Sequence, residues 1–424
     1  MTTKNNIPAG YKDSAVGIIP QEWEVKALGE AYKLQGGYAF KSELFADIGI
    51  PIVRISNLPM DSNIVDITDC VYYPNTESIK EQFIIKQGML LIAMSGATTG
   101  KTAVYNNQNS SYLNQRVGMF CSKNDDITYN YLLQLVQSPL YSNALKPLLI
   151  AGAQPNIAPS DVENMKFPVP PMEEQRKIAE ILGVWDEAIE KQSRLIERLK
   201  VRKRALMQCL LTGRTRLSGF TTPWQKIKLG EIGKTYNGLT GKSKEDFEDG
   251  NAKFIPYINV FLNEKVNIDK LGVVSVDESE KQNKVQYGDI FFTVSSETPD
   301  EVGMASVLLE YIDDTYLNSF CFGYRLNDFE TLNPIFASYI LRGDRFRNFM
   351  MVLAQGSTRF NISKNEVMKL RIELPSLPEQ KAIAEVLTTA DDEIATHRKR
   401  LDALRLQKRG LMQQLLTGKT RVKI

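Results

Sequence analysis

Two short motifs in this sequence look equipped for chemistry, and each lacks a part that the chemistry needs. SGATTGKT at residues 95–102 has the glycines, lysine and threonine of a phosphate-binding loop, whose backbone N–H groups cradle a nucleotide. Gly96 and Gly100 are separated by three residues where that cradle needs four, so nucleotide binding is not expected there. NPIF at 333–336 has the outline of the Asn-Pro-Pro-aromatic loop of adenine methyltransferases. Ile335 stands in place of the second proline and no glycine-rich cofactor loop precedes it, so the segment reads as the start of a helix. Cys70, Cys121, Cys209 and Cys321 include no C-x-x-C pair, which argues against zinc and disulfides and suggests small core residues. His397 is the single histidine, which excludes a His–His metal site and argues against a histidine-based triad. No carboxylate cluster with nuclease spacing stands out. The chain reads as non-catalytic, with no metal and no cofactor of its own.

What remains is charge. Residues 191–216 and 398–423 each carry nine Lys/Arg against one acid, Glu197 or Asp402. The whole chain of 424 residues is only +2, so these windows hold +16 and the remainder −14. A solvated helix face explains such runs; clusters like Arg202-Lys203-Arg204 also suit phosphates or an acidic partner surface. With 43% hydrophobic and 24% charged residues the sequence can bury real cores and is not of disordered type. Its apolar runs are short, as at 89–94, and the N-terminus lacks a charged region followed by an apolar core. A cytoplasmic protein is expected.

The basic windows belong to a duplication. Residues 170–217 align without a gap on 375–422 at an offset of 205, with 21 identities in 48 positions, ending in LLTGRTR and LLTGKTR. The similarity continues more weakly upstream. Trp23 and Leu28-Gly29-Glu30 match Trp224 and Leu229-Gly230-Glu231, Tyr112-Leu113-Asn114 matches Tyr316-Leu317-Asn318, and Asn156-Ile157 matches Asn361-Ile362. The chain is therefore two half-proteins, each a divergent block followed by a more uniform helix. Domain boundaries follow at 1–168, 169–217, 218–372 and 373–424.

In the first helix Ile178, Leu182, Trp185, Ile189, Ile196, Leu199, Leu206 and Leu210 keep the four-and-three spacing of a heptad seam, interrupted at Gln192 and Lys203. Their counterparts are Ile383, Leu387, Ala390, Ile394, Leu401, Leu404, Leu411 and Leu415, interrupted at His397 and Lys408. Prolines and acids mark each start, and Gly213 or Gly418 marks each end. The spacing predicts two coiled-coil seams, paired antiparallel within one chain and about 50 Å long at ~1.5 Å per residue. Packing of each helix on its own domain is the competing reading.

The blocks mix strand-like runs (residues 89–94, 289–295 and 320–326) with helix-like stretches (129–149 and 334–354), so the fold class is α+β. Two divergent blocks, each opening with W-x4-L-G-E and passing through N-I into P-x3-EQ-x2-IA-E-x-L and a basic helix ending LLTG-[RK]-TR, resemble the specificity (S) subunit of type I restriction-modification systems. The resemblance runs from about Tyr11 to Val422. It implies two target recognition domains joined by two long helices forming an antiparallel coiled coil, a pseudo-twofold internal repeat. It also implies two modification (M) subunits as partners and restriction (R) subunits in the full complex. S-adenosylmethionine, ATP and Mg are expected on those partners and none on this chain.

On that reading the blocks recognise unlike halves of a bipartite double-stranded DNA site, through loop residues facing the major groove. The candidates in the first block are Lys41, Arg54, Ser56, Asn57, Ser95, Lys101 and Arg116. In the second they are Lys242, Ser243, Asn259, Ser295, Ser296 and Arg359. A bipartite protein-interaction scaffold without DNA reading, and a self-contained nuclease or methyltransferase, are the alternatives. A membrane role is not expected.

Overall fold

A computed structural model describes residues 7–60, 62–75, 78–150 and 156–424. The chain divides into two compact units. The first combines residues 1–193 with 400–424, and the second is 194–399. Both spacer helices, Met172–Leu210 and Leu377–Leu415, therefore contribute one portion to each unit.

In the first unit an antiparallel sheet runs in the order Tyr32–Gly36, Val117–Ser122, Leu90–Ala93, Thr102–Val104. Its central strand Leu90–Ala93 is buried along its whole length, which is why it reads as an unbroken apolar run. A second sheet pairs Ile50–Val53 with Ser111–Leu113 in parallel. A two-stranded ribbon of Glu24–Ala27 and Lys166–Val169 leads into the spacer helix.

The second unit repeats each of these parts. Gly233–Asn237, Cys321–Leu326, Ile290–Thr293 and Ala305–Val307 form its antiparallel sheet. Ala252–Ile255 runs parallel to Thr315–Leu317, and Gln225–Lys228 pairs with Arg371–Leu374. The weak upstream matches thus mark a shared topology.

The expected helical stretches are each broken in two. Tyr129–Val136 stops ahead of Pro139–Ile150, because the residue before a proline avoids helical angles. Pro334–Ile340 is separated from Asp344–Leu353 by Leu341, Arg342 and Gly343. Asn333 caps the first of these, its side chain accepting the Phe336 N–H at 3.0 Å, with Pro334 at the first helical position. Of the cysteines only Cys321 is buried; Cys70, Cys121 and Cys209 are half-buried, so the core assignment holds for one of four.

Every predicted seam position is buried or half-buried. In the first unit Ile178 and Leu182 share a core with Met412, Leu415 and Leu416. In the second, Leu210 and Leu211 share one with Ile383, Ala384 and Leu387. The same two cores contain Trp23, Tyr131 and Phe167, or Phe336, Tyr339 and Ile372. Seam pairing and packing on the domain are therefore one arrangement and not competing ones.

Ion pairs give the direction of that pairing. Glu174 meets Arg421 at 2.7 Å and Asp186 meets Lys408 at 2.5 Å in the first unit. Lys203 meets Asp391 at 2.7 Å, Arg216 meets Glu379 at 2.5 Å, and Arg202 meets Glu393 in the second. Numbers rise along one helix as they fall along the other, so the segments are antiparallel within each unit. The half-buried Lys203 and the buried Lys408, which interrupt the heptad pattern, are thus ends of equivalent cross-helix pairs that define register.

Candidate nucleic-acid interface

The two copies of the helix start and helix end meet through the motifs that repeat. Glu174 and Glu379 are completely buried. Each receives the guanidinium of the opposite copy's closing arginine, Arg421 Nη2 donating to Glu174 Oε2 at 2.9 Å and Arg216 Nη2 to Glu379 Oε2 at 2.7 Å. The neighbouring glutamines work on the backbone. Gln175 accepts the Thr128 N–H and donates to the Asp126 and Pro170 carbonyls, while Gln380 accepts the Asn333 N–H and donates to those of Thr331 and Pro375. These residues lock each block to its helix. The repetition of EQ and TR was visible in the sequence; their mutual contact was not.

The Asn-Ile repeat has a matching role. Ile157 donates its N–H to Met94 O at 2.9 Å, and Ile362 donates to Val294 O at 3.0 Å. Asn156 bridges Ser95, and Asn361 pairs with Ser295. Met94 and Val294 in turn donate to the carbonyls of Arg116 and Phe320. Each unit thereby gathers loops just beyond the C-terminal end of its central strand.

In the first unit that cluster holds Ser95, Arg116 and the 54–57 turn, which the Thr98 hydroxyl ties in by donating to Ile55 O at 3.3 Å. Ser56 and Arg116 are exposed. Arg54 Nε and Ser95 Oγ are buried without a hydrogen-bond partner. Unpaired buried polar atoms are costly, and each calls for an explanation. Lys101 lies at the far end of the same loop and donates to Asn63 Oδ1 at 3.0 Å. A strand and not a helix follows it, so the near-phosphate loop also lacks the helix N-terminus that such a loop requires.

In the second unit the cluster holds Ser295, Ser296 and the exposed Arg359, with Tyr257 donating its hydroxyl to Ser295 O at 2.8 Å. Ser296 Oγ lies 3.1 Å from Glu301 Oε2. Tyr257 had no signal in the sequence, since only the fold brings it to Ser295.

The remaining candidates stand elsewhere. Asn57 and Asn259 are buried equivalents. Asn57 accepts the Arg54 N–H and donates to Asp69 O, and Asn259 donates to the Asn267 and Lys270 carbonyls while accepting from Asn267 N–H. Both amides brace a loop from inside. Lys41 is exposed on a separate loop. Lys242 is nearly buried against Glu280, and Ser243 caps the adjoining turn on Asp246. The Gln282 amide and the Lys242 ammonium hold the Glu280 carboxyl down at about 2. Among the described residues there is no group of His, Cys, Asp or Glu that could hold a metal.

The family pattern described as the type I restriction modification DNA specificity domain matches residues 20–200 and again 222–406. The chain belongs to this family. It is a type I specificity subunit, the DNA-recognition component of such systems, and carries out no catalysis itself. A putative type I specificity subunit, MjaX, of Methanocaldococcus jannaschii is 28% identical over 97% of both chains. The MjaVIII specificity subunit of the same organism is 27% identical over 96% of this chain and 94% of its own. Among solved structures, the type I S subunit of M. genitalium covers 98% of this chain and 99% of its own at a TM-score of 0.52 and 16% identity. A chain from a study of complex assembly and conformational transition in the type I system covers 95% and 99% at a TM-score of 0.59 and 17% identity. These two share the fold. Among the described residues of this specificity subunit, no helix is long and apolar enough to cross a membrane.

Proposed function

We propose that the two units of this specificity subunit read unlike half-sites of one asymmetric, bipartite DNA target, while its helices dock two modification subunits and, in the full complex, restriction subunits. The observation that supports this is the pair of equivalent loop clusters beyond the central strands, alike in backbone and in Ser95 and Ser295 but otherwise divergent, with Arg54 and Arg116 of the first standing where the second has Pro256 and Phe320. Arg54, Ser56, Ser95 and Arg116 are the base and phosphate contacts of one half, and Ser295, Ser296 and Arg359 those of the other. Arginine and serine at a loop tip can donate to base edges, and the guanidinium suits guanine bidentately. S-adenosylmethionine, ATP and Mg act on the partner subunits. The site is a cytoplasmic one in this reading.

The test is sequencing of methylated adenines in DNA from cells carrying this chain with its modification partner. One bipartite motif with different halves is expected, and Arg116→Ala or Arg359→Ala relaxes one half only. A palindromic motif, or none, overturns the reading. For the purified complex, affinity for the site falls steeply with salt as counterions are displaced; a flat response would point to a protein scaffold that reads no DNA.

A further inference from the structure

The second unit carries an aromatic cluster outside the loops proposed to read DNA. Tyr311 is 85% exposed and stacks on Tyr287, with centroids 4.7 Å apart and planes at 12°. Phe329, 39% exposed, meets Tyr287 edge-on at 5.8 Å. The three rings come from separate segments: the turn before strand Ile290–Thr293, the loop before Thr315–Leu317, and the turn after Cys321–Leu326. Folding alone brings them together.

Carboxylates flank the rings. Glu310, Asp313, Asp328 and Glu330 are exposed and have no ion-pair partner among the described residues. Of the cations nearby, Lys284 is engaged by Asp314 and Arg325 by Asp289, while Lys234, the cross-strand neighbour of Arg325, is exposed, one charge against four carboxylates. The surface is therefore negative as well as π-faced. It would repel phosphates, and Tyr287 and Ser295 lie beyond opposite ends of the Ile290–Thr293 strand, so it is separate from the DNA-reading loops. Exposed aromatics rimmed by polar groups mark interaction surfaces, and ring faces with carboxylates nearby select cations. None of the three rings recurs at the aligned positions of the first unit, which hold Gln87, Asp125 and the residues NNQNS at 106–110; there Tyr129 approaches instead, donating its hydroxyl to Gly88 O.

We propose that the Tyr287–Tyr311–Phe329 face docks an arginine- or lysine-bearing segment of a partner protein, once per chain. Such a partner would not follow the internal repeat, which distinguishes it from partners that engage both halves alike.

The full-length chain is titrated with a fluorescein-labelled peptide of alternating arginine and glycine, followed by anisotropy, beside the same peptide with glutamate for arginine. The arginine peptide saturates and the glutamate peptide does not. Tyr311→Ala weakens binding at least about fivefold, as does the double change Asp313→Asn with Asp328→Asn, which keeps every ring and so covers a Tyr311→Ala chain that misfolds. Tyr311→Phe retains it. Absence of binding, or equal binding by wild type and both variants, overturns the proposal. So does a Tyr311→Ala complex that loses site-specific methylation while its peptide binding is unchanged, because the ring would then serve DNA. Methylation is otherwise untouched, so this proposal and the bipartite reading fail separately.

Discussion

Two buried glutamates decide how each block is held to its helix. Removing the guanidinium in Arg421→Ala leaves Glu174 buried with only the Trp23 indole N–H, 2.9 Å away, as a side-chain donor. An uncompensated buried carboxylate is strongly unfavourable, so thermal melting is expected to drop by about 5 °C or more in a unit of this size. Trp224, the counterpart of Trp23, has a buried indole N–H without a partner, so Glu379 depends more heavily on Arg216. Glu280 offers a pH test at the same scale. Its folded-state carboxyl lies below the ordinary 4.5, so its contribution is complete above that value and fades as pH falls toward about 2. Glu280→Gln should lower the urea midpoint at pH 7 and make less difference at pH 3. Residue matches between the copies were readable, but their meaning was not. Asn57 and Asn259 match because they brace equivalent loops, whereas residues that read different bases have no reason to match.

At the scale of elements, the heptad spacing was enough to find both long helices and their buried faces. Leu182 and Leu387 are fully buried where helix, opposite helix and block meet. Leu182→Lys or Leu387→Lys is expected to destabilise its unit by roughly 3–5 kcal/mol; a denaturation curve unchanged from wild type would show these faces open to water. The helix ends make a finer test. Gly213 and Gly418 have φ of +72° and +70°, the left-handed conformation of a terminating glycine. Thr215 N–H donates to Cys209 O and Thr420 N–H to Gln414 O, closing equivalent turns. An alanine methyl at 213 finds room 3.5 Å from Trp224, while at 418 it would lie 2.4 Å from Pro20 Cδ. Gly213→Ala should cost about 1 kcal/mol, and Gly418→Ala measurably more in the same urea titration. Only the surroundings distinguish two glycines that the sequence presents as identical.

For the molecule as a whole, the first unit needs residues 400–424 to cover Ile178 and Leu182 and to pair Glu174. A fragment of residues 1–217 lacks that segment but contains its duplicate, 195–217, with Arg216 in the role of Arg421. Two fragments are expected to dimerise by exchanging these segments and, with modification subunits, to direct methylation to a palindrome of the first half-site. Sedimentation and methylated-base sequencing read the two outcomes; a strictly monomeric fragment that supports no methylation would falsify this pairing rule.

The sequence by itself determined the duplication, the two amphipathic helices, the α+β character of the blocks and the family, because repetition and periodicity are written along the chain. It did not determine which duplicated residues meet. The pairing of EQ in one copy with TR in the other, the burial of Asn57 and Asn259, the gathering of Arg54, Ser95 and Arg116, and the stacking of Tyr287 on Tyr311 join segments far apart in order. Such contacts depend on how strands and helices close over a shared core, and that closure is a property of three-dimensional packing which no local pattern records.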